Sequence, residues 1–428
     1  MKHPVLALVL AAGQGTRFQS EKNKILHPLL GKSTLRLVLD SVLELKPKKT
    51  IVVVGFDKEA VKAEAGYPGL EFVDQKELKG TARAVAAAKD ALKVPRGEDI
   101  LIVPADLPLL QPAVLKSVIA AHRRHDNAAT VVSQIYVFDV AELRRALTKS
   151  ADRMRRREYD LAEIFAGLGR AGKKTEIMKP ADPESVVSVD TRIDFVRAVQ
   201  ILRIGKLKEL VESGVTVLNP ASTWIDLEAK IGRDTVIYPS VVIEGQTVVG
   251  SHCRIFPGAH IINSRIGQHV RVLDATMIES ADIEDRVSVG PFARVRPKTV
   301  LSEGSHVGNF VEVKNTRFGR GSKAGHLTYL GDAEVGERVN IGAGTITCNY
   351  DGVRKNRTVI EDGAFIGSGA ELVAPVRIGK GAYVAAGSVI TKDVNPDALA
   401  VCRGRQFEKR GWARRRRERQ KLEKNNGP

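Results

Sequence analysis

The stretch Ile231–Gly250, "IGRDTVIYPSVVIEGQTVVG", carries an isoleucine or valine at every sixth position, at Ile231, Ile237, Ile243 and Val249. Neither the 3.6-residue period of a helix nor the 2.0-residue period of a strand produces this spacing. A flat-sided coil does, because each six-residue unit supplies one short strand and one turn, and three units complete one turn of a triangular prism. The stretch therefore predicts a parallel β-helix whose apolar residues stack inward as ladders.

The same register continues beyond this stretch, with occasional steps of five. The further inward positions are Ile255, Ile261, Ile266, Val272, Ile278, Ile283, Val289, Val295, Leu301, Val307, Val313, Val335, Ile341, Ile366, Leu372, Ile378, Val384 and Ile390. We expect the repeat domain to span 229–400, with breaks after Val313 and between Ile341 and Ile366. Breaks allow loops and polar side chains to leave the coil. The two breaks contain His326, Tyr329, Asn349, Tyr350 and Lys355.

The first half of the chain follows a different pattern, in which apolar runs alternate with amphipathic stretches. "VLALVLAA", "TIVVVGF" and "DILIVPAD" are typical of buried strands, whereas "STLRLVLDSVLEL" and "PAVLKSVIAAHRRH" are typical of helices. This alternation predicts a doubly wound, Rossmann-like α/β domain over 1–190, with ligands at the carboxyl ends of its parallel strands. A long helix from Thr191 to about Gly214 is expected within a linker, 191–228, and 401–428 forms a basic tail.

Composition and charge bound the class of protein. The 428 residues are 43% hydrophobic and 27% charged, with a net charge of +17, which favours anionic partners such as nucleotides and sugar phosphates. The tail run "ARRRRERQK" is expected to be a solvated, frayed end. Nucleic-acid binding is the alternative, although the aromatic residues that usually accompany single-strand binding are sparse there.

A cytoplasmic protein is the expectation. The three cysteines are far apart and form no CxxC pair, which indicates neither a zinc site nor a disulfide framework. No run reaches the ~18 apolar residues of a membrane span. We interpret "MKHPVLALVLAAGQG" as a buried first strand that opens onto a loop; a signal peptide is the alternative.

Six motifs resemble those of the GlmU family, which joins an N-acetylglucosamine-1-phosphate uridylyltransferase to a glucosamine-1-phosphate acetyltransferase. "GPFARVRP", "VGNFVEVKNTRFGRGSKAGHLTYLGDAEVG" and "NIGAGTITCNYDG" resemble the acetyltransferase core nearly letter for letter. "LAAGQGTR", "KILHPLLGK" and "GTARA" resemble the nucleotide-binding motifs. The resemblance covers almost the whole chain. It implies a left-handed β-helix, a homotrimer and the synthesis of UDP-N-acetylglucosamine for the cell envelope.

For the repeat domain, the resemblance implies His326 as the general base of acetyl transfer, and imidazole titrates in the pH range that this role needs. A hydrogen-bonded structural histidine is the alternative. The residues implied to bind the sugar phosphate are Arg296, Lys314, Tyr329, Asn340 and Lys355. Those implied to bind acetyl-CoA are Ala343, Asn349, Tyr350, Ser368, Ala386 and Arg403. Outside the family context, the charged members would be interpreted as solvated surface residues and Tyr329 as a packed aromatic.

For the first domain, the resemblance implies UTP as the nucleotide and Mg²⁺ as the metal. The implied nucleotide contacts are Leu10, Ala11, Ala12, Gly13, Arg17, Lys24, Gln75, Gly80 and Thr81. Asp106, at the end of "DILIVPAD", and Asp190 would bind the metal through hard carboxylate oxygens. The family carries an asparagine at the position of Asp190, and a helix N-cap is an alternative role for this residue.

The chain departs from the family where the N-acetylglucosamine-1-phosphate acceptor would bind. Family members carry a long stretch there, with an asparagine and a glycine that hold the acetylated sugar. Here "DNAATVVSQIYVFDV" runs straight through, with Val132 and Gln134 at those positions, and "QGEYYLTD" is altered to "RRREYDLAE". We therefore expect acetylation with only feeble uridylyl transfer. The alternatives are a monofunctional acetyltransferase whose first domain binds nucleotide without turnover, and a β-helix scaffold with an RNA-binding tail.

Overall fold

The computed structural model describes residues 5–77, 80–92 and 97–425, with side chains described up to 422, and it contains two compact units. The first unit runs to Ser213 and also includes Thr223–Ala229 and Ile243–Gly245. The second unit comprises Gly214–Ser222, Lys230–Val242 and the chain from Gln246 onward.

The first unit alternates strands and helices. Its strands are β1 Leu6–Ala11, β2 Pro28–Leu29, β3 Lys32–Ser33, β4 Lys49–Val54, β5 Leu70–Asp74, β6 Asp99–Pro104, β7 Ala129–Val132, β8 Ile135–Asp139 and β9 Thr175–Met178. Its helices are α1 Thr34–Leu43, α2 Lys58–Ala65, α3 Thr81–Ala87, α4 Pro112–Arg124, α5 Val140–Lys149, α6 Ala151–Arg156, α7 Leu161–Arg170 and α8 Arg192–Glu212. Short 3-10 turns occupy Thr16–Phe18, Lys24–Leu26 and Pro183–Val186.

Seven of these strands form one sheet in the order β5-β4-β1-β6-β8-β7-β9. The pairs are parallel except for β8, which runs antiparallel to both β6 and β7. Helices pack on both faces, so side chains of β1 alternate between two cores: Ala7 and Val9 belong to one, and Leu6 and Leu8 to the other. The predicted doubly wound domain is confirmed, and it brings the carboxyl ends of β1 and β6 together.

The long predicted helix is confirmed as α8. Its N-cap residue is Thr191 and not Asp190, for which an N-cap was the alternative role. The hydroxyl of Thr191 accepts a hydrogen bond from the backbone N–H of Asp194 at 3.3 Å, and the Asp194 carboxylate accepts one from the backbone N–H of Thr191 at 2.8 Å. This reciprocal pair is a capping box. Because Thr191 is the cap, the side chain of Asp190 is left for other contacts.

The repeat region, 216–400, consists of three parallel sheets of eleven, ten and nine strands, each strand pairing with the strand one coil away. Face 1 comprises Thr216–Val217, Val236–Ile237, Arg254–Ile255, Arg271–Val272, Ser288–Val289, His306–Asn309, Lys323–His326, Asn340–Ile341, Phe365–Ile366, Tyr383–Val384 and Leu399–Ala400. Face 2 comprises Trp224–Ile225, Val242–Glu244, His260–Ile262, Met277–Glu279, Arg294–Val295, Glu312–Lys314, Tyr329–Gly331, Ile346–Cys348, Glu371–Val373 and Val389–Ile390.

Face 3 comprises Lys230–Ile231, Val248–Val249, Arg265–Ile266, Asp282–Ile283, Val300–Leu301, Arg317–Phe318, Ala333–Val335, Thr358–Ile360 and Val376–Ile378. The side chains of the predicted six-residue ladder are buried throughout. The stacked parallel sheets confirm the hexapeptide β-helix and are consistent with the left-handed form that the family implies.

The inward ladder does not break after Val313, so that prediction was wrong. Phe318, Ala324 and Leu330 continue the ladder with fully buried side chains, and their strands pair in parallel with the coil before. The prediction failed because this coil begins with a step of five and then uses an aromatic residue and an alanine. An inward position requires burial and fitting volume rather than an aliphatic side chain. The stretch Ser322–Gly331 therefore lies on an unbroken coil.

The second predicted break is confirmed, because residues 349–357 leave the coil between two strands; we call this segment the excursion loop. Asp351 organises it. The Asp351 carboxylate accepts hydrogen bonds from the backbone N–H groups of Val353 and Arg354, at 2.8 and 2.6 Å, and from the Asn356 amide at 3.0 Å.

The basic tail differs from its expectation. Trp412–Asn425 forms a helix, α9, rather than a frayed end, although its described side chains are exposed as expected. Among the described residues, no helix is both long enough and apolar enough to cross a membrane.

Candidate functional sites

His326 is held by a residue one coil away. It ends its face-1 strand with an exposed side chain, and its Nδ1 lies 2.7 Å from Oδ1 of Asn309, the residue paired with it in the preceding coil. An amide oxygen can only accept, so Nδ1 carries the proton and Nε2 presents its lone pair. The ring is therefore oriented as a base at the turn between face 1 and face 2.

Three residues expected to bind the sugar phosphate lie on face 2, beyond that turn. Lys314 and Tyr329 stand on adjacent strands, and Arg296 directly follows the strand one coil earlier. Arg296 Nη1 lies 2.7 Å from Glu312 Oε1, and this hydrogen bond raises the pKa of Arg296. Arg296, Lys314 and Tyr329 therefore place two cations and a phenol beside the turn that follows His326.

Lys355 reaches the same group from the excursion loop. Its ammonium group lies close to that of Lys314, and this second positive charge lowers the pKa of Lys314. Two adjacent ammonium groups repel each other, so an anion placed between them is favoured.

Asp332 lies within this cluster and was missed by the sequence analysis. Burial alone would raise the pKa of the Asp332 carboxyl, but hydrogen bonds from Asn315 and Asn349 and the charges of Lys314 and Lys355 lower it. Asn349, expected to bind acetyl-CoA, is thus buried with its side chain on Asp332.

Gly331 is a second residue that was missed. A Cβ at this position would lie 2.3 Å from the Tyr329 hydroxyl and 2.8 Å from the Asn349 amide nitrogen, closer than real Cβ contacts allow. Glycine therefore lets both side chains converge over the strand. Asn309, Gly331 and Asp332 lie within the quoted motif "VGNFVEVKNTRFGRGSKAGHLTYLGDAEVG", but only the coil-to-coil register shows which side chains they meet.

Three of the six residues expected to bind acetyl-CoA, Ala343, Ser368 and Ala386, lie in a column at one turn of the prism. Leu327, Ala343, Ser368 and Ala386 occupy this position in successive coils, and backbone hydrogen bonds of 2.9, 2.7 and 2.8 Å link each coil to the next. We call these four residues the turn column. It begins directly after His326. The Arg403 guanidinium donates to the backbone oxygen of Ala386 at 3.2 Å and so lies at the far end of the column.

Asn340 and Tyr350 lie at the margins of this site. Asn340 opens the face-1 strand paired with that of Lys323. Tyr350 is exposed in the excursion loop, where its hydroxyl donates to the backbone oxygen of Gly352 at 2.6 Å.

In the first unit, one cavity of about 430 Å³ collects every residue expected to bind nucleotide or metal. These are Leu10, Ala11, Ala12, Gly13, Arg17, Lys24, Gln75, Gly80, Thr81, Asp106 and Asp190. The cavity lies at the carboxyl ends of β1 and β6, the edge at which open α/β sheets bind ligands.

Asn23 fixes the glycine-rich loop and was not anticipated. It is fully buried; its amide donates to the backbone oxygens of Gly13 and Phe56 at 3.4 and 3.2 Å, and its Oδ1 accepts from Ile25 N–H at 3.3 Å. The adjacent Lys24 stem packs over Gly15, where a Cβ would lie 2.9 Å from Lys24 Cγ and Cδ.

The two carboxylates expected to bind metal lie on either side of Lys24. Lys24 Nζ is 2.7 Å from Asp106 Oδ2 and 2.8 Å from Asp190 Oδ1, and Arg17 Nη2 is 3.1 Å from the same Asp190 oxygen. Burial lowers the pKa of Lys24 and the two carboxylates raise it, with a net increase. Burial raises the pKa of Asp190, whereas Lys24 and Arg17 lower it, with a net decrease.

Two of the three residues expected to recognise uracil, Gly80 and Thr81, contact the segment "EYD", 158–160. Asp160 Oδ1 accepts from both the N–H and the hydroxyl of Thr81 at 3.0 Å. Gly80 has φ 88°, and a Cβ there would lie 2.4 Å from the backbone oxygen of Tyr159. Gln75 is buried and donates to the backbone oxygen of Glu77 at 2.8 Å.

The shortened segment where the acceptor sugar is expected to bind is a tight hairpin. The run "ATVV" is the fully buried strand β7, and Ser133, with φ 54°, and Gln134 alone connect it to β8. Gln134 nevertheless lines the cavity, with its Nε2 3.5 Å from Ser188 Oγ, and Glu158 lines the same cavity. The segment is therefore short, but Gln134 and Glu158 still place two polar side chains in the cavity.

Comparisons with known proteins agree with both halves. A MobA-like NTP transferase domain matches residues 7–170, a GMPPB C-terminal domain matches 220–318, and a bacterial transferase hexapeptide domain of six repeats matches 357–392. The fold and the two sites define a two-domain transferase, with a nucleotidyltransferase unit and a hexapeptide-repeat unit.

Whole-chain relatives identify the family. The "Bifunctional protein GlmU" of Thermotoga petrophila is 42% identical, covering 96% of this chain and 99% of that protein. Those of Koribacter versatilis and a Geobacillus species are 38% and 39% identical, covering 97% and 96% of this chain and 98% and 97% of theirs. The chain belongs to the GlmU family of bifunctional enzymes.

Proposed function

We propose that this chain catalyses two successive reactions. The repeat unit transfers the acetyl group of acetyl-CoA to the amine of glucosamine-1-phosphate. The first unit then transfers a uridylyl group from UTP to N-acetylglucosamine-1-phosphate, which gives UDP-N-acetylglucosamine for the cell envelope. The observation that carries the first assignment is the orientation of His326 by Asn309 at the head of the turn column.

His326 acts as general base in acetyl transfer. Its Nε2 lone pair takes a proton from the sugar amine as the nitrogen attacks the thioester carbonyl, and the Asn309 oxygen stabilises the resulting imidazolium through Nδ1–H. The sulfur of CoA then leaves with a proton.

The cationic group of the repeat unit holds the sugar 1-phosphate. Arg296, Lys314 and Lys355 supply the positive charge, and phosphate binding relieves the repulsion between the two lysines. Tyr329 and Asn340 provide hydrogen bonds to the sugar. Asn349 acts here indirectly, by orienting Asp332 between the lysines.

Acetyl-CoA lies along the turn column. The small side chains of Ala343, Ser368 and Ala386 leave room for the pantetheine arm, and Arg403 at the far end attracts the anionic nucleotide part. Tyr350 covers the arm from the excursion loop. The acetyl group is thereby delivered next to His326.

The residues of the first unit fit a magnesium ion. Asp106 Oδ1 is buried without a hydrogen-bond partner among the described residues, and Asp106 and Asp190 together offer hard oxygen donors. In the described part of the chain no group of three or more His, Cys, Asp or Glu could hold a metal, which suits an ion completed by phosphate oxygens and water. Such an ion neutralises charge that develops on the phosphates.

The chain's own groups bind and align the nucleotide. The segment Leu10–Gly13 lines the cavity beside the phosphates, Arg17 and Lys24 offset the phosphate charge, and Gln75 with the Gly80–Thr81 segment recognises the uracil edge. Gln134 and Glu158 are the polar groups left for the acceptor sugar. With so few acceptor contacts, we expect uridylyl transfer to be slow at low acceptor concentration.

A homotrimer in the cytoplasm is the assembly that fits these reactions. Phe292, Phe310 and Leu327 form an exposed apolar ladder along one edge of the prism beside His326, and a second copy of the chain would cover it. Sedimentation of the purified chain tests the assembly, and a monomer at micromolar concentration would contradict it.

The test of both activities uses one purified preparation. We expect acetylation of glucosamine-1-phosphate at an ordinary rate, and uridylyl transfer with a high KM for the acceptor. Gln134→Ala should raise that KM further without changing UTP binding, and Ser133→Ala is the matched control. Inserting a family-like loop between Val132 and Ile135 should lower the KM. Uridylyl transfer that is absent at every acceptor concentration would favour the monofunctional alternative.

A further inference from the structure

The ammonium group of Lys24 occupies the position that links the two carboxylates of the first unit. Its Nζ contacts one oxygen of Asp106 at 2.7 Å and one of Asp190 at 2.8 Å, so a single cation bridges residues from two distant parts of the chain. The Lys24 side chain is only 10% exposed. The second oxygen of Asp106 is buried without a partner among the described residues.

The surrounding backbone fixes both sides of this bridge. The backbone N–H of Val189 donates to the backbone oxygen of Asp106 at 2.9 Å, which holds the two carboxylates near each other without any help from Lys24. The Lys24 stem is guided over Gly15, and the buried Asn23 fixes the start of its turn. Only the end of the Lys24 side chain is free to change partners.

We propose that Lys24 is a displaceable counter-cation: it bridges Asp106 and Asp190 until a divalent metal takes these carboxylates, and it then moves to the phosphates of the nucleotide. This inference rests on the proposed assignment of the two aspartates as metal ligands. Lys24 thereby couples metal binding to nucleotide binding.

Charge and distance favour such an exchange. A divalent metal contacts carboxylate oxygens at roughly 2.0–2.6 Å. An ammonium group that stayed on Asp106 Oδ2 and Asp190 Oδ1 would lie only a few ångströms from a metal bound to the same two carboxylates in a half-buried site, and the repulsion between the two cations favours its release. The triphosphate is the anion that the reaction brings into the cavity, and the Lys24 stem already lies against the glycine-rich loop that faces it.

The proposal predicts weak metal binding to the nucleotide-free protein. Mn²⁺ binding to the nucleotide-free full chain can be measured by electron paramagnetic resonance, which counts free Mn²⁺. In Lys24→Gln the cation that bridges both carboxylates is gone, and Arg17 remains on Asp190 alone, so we expect Mn²⁺ to bind about tenfold or more tightly than in wild type. Lys22→Gln removes an equal charge from a nearby exposed side chain and is the matched control; we expect it to change Mn²⁺ affinity by less than about twofold.

Two further variants separate the inference from the assignment on which it rests. Asp106→Asn should abolish Mn²⁺ binding, and Lys24→Gln should confer no tightening in that background. Circular dichroism checks that each variant is folded. If Lys24→Gln destabilises the fold, titrating wild type with Mn²⁺ in the presence and absence of UTP tests the same coupling. The increase in bound Mn²⁺ that UTP causes should exceed the amount of Mn²⁺ that UTP alone binds.

The outcomes are distinct. If Asp106→Asn abolishes Mn²⁺ binding but Lys24→Gln leaves it unchanged or weaker, the counter-cation role is overturned and the metal site stands. If Asp106→Asn leaves Mn²⁺ binding unchanged, the metal site itself is wrong. Equal tightening in Lys22→Gln would reduce the effect to general charge and would also overturn the proposal.

Discussion

His326 Nδ1 and Asn309 Oδ1 lie 2.7 Å apart, and the two residues are paired in register on adjacent face-1 strands. A base that is only exposed can rotate freely, whereas this one is tied to a position fixed by the sheet. The orientation of the base is thus a property of the prism.

Removing either member of this pair tests its role. His326→Ala should reduce acetylation by about 10²–10⁴-fold. Asn309→Ala removes a hydrogen bond to a ring that becomes charged, worth about 1.5–3 kcal/mol, and should lower kcat by about ten- to a hundredfold. Steady-state acetyl transfer measures both effects, and uridylyl transfer on the same sample is the internal control. A near-normal acetylation rate in His326→Ala would show that the histidine is structural.

Lys314 should act in substrate binding rather than in the chemical step. Lys314→Met removes a cation beside the sugar 1-phosphate, which is bound equally in the ground and transition states. The KM for glucosamine-1-phosphate should therefore rise by roughly tenfold or more while kcat changes little. Lys298→Met, at an exposed lysine close in sequence, is the matched control. A fall in kcat at unchanged KM would instead place Lys314 in the chemistry.

Gly80 should be indispensable for nucleotide binding. Alanine there would combine a left-handed backbone with a Cβ 2.4 Å from the backbone oxygen of Tyr159, so the loop must shift. Gly69 has φ 80° but open space around it, so Gly69→Ala should cost only about 1–2 kcal/mol of backbone strain. We expect Gly80→Ala, but not Gly69→Ala, to weaken UTP binding by roughly tenfold or more in titration calorimetry. Equal UTP affinities in the two variants would contradict this account.

The half-buried His306 should make the repeat unit sensitive to acid. Burial lowers the pKa of His306 in the folded state, and the charges of Lys323 and His326 add to this effect. Below the ordinary pKa of about 6.5, the unfolded chain then binds more protons at this position than the folded chain, so stability falls as the pH drops toward the lowered folded-state pKa.

Thermal unfolding of wild type and His306→Gln between pH 7.5 and pH 5 should show this difference. The unfolding midpoint of the variant should fall less over that range, because glutamine does not titrate. Parallel curves for the two proteins would mean that other groups cause the acid sensitivity.

The sequence by itself determined the architecture. A six-residue period cannot be satisfied by a helix or a flat sheet, so Ile231, Ile237 and Ile243 already required a three-sided coil. The motif "LAAGQGTR" predicted a glycine-rich loop directly after the first strand, and this loop lies at the end of β1. These inferences succeeded because each depends on neighbours along the chain, where periodicity and turn chemistry act.

Tertiary structure alone decided which side chains meet. Lys24 lies 82 positions from Asp106 and 166 positions from Asp190 along the chain. No local sequence pattern shows that one ammonium group bridges both acids. Asn309 reaches His326 only because one full coil separates them, and inward Phe318 shows that a ladder accepts any side chain that fills its volume. Packing and register across the fold set these contacts, and neither is written in the adjacent residues.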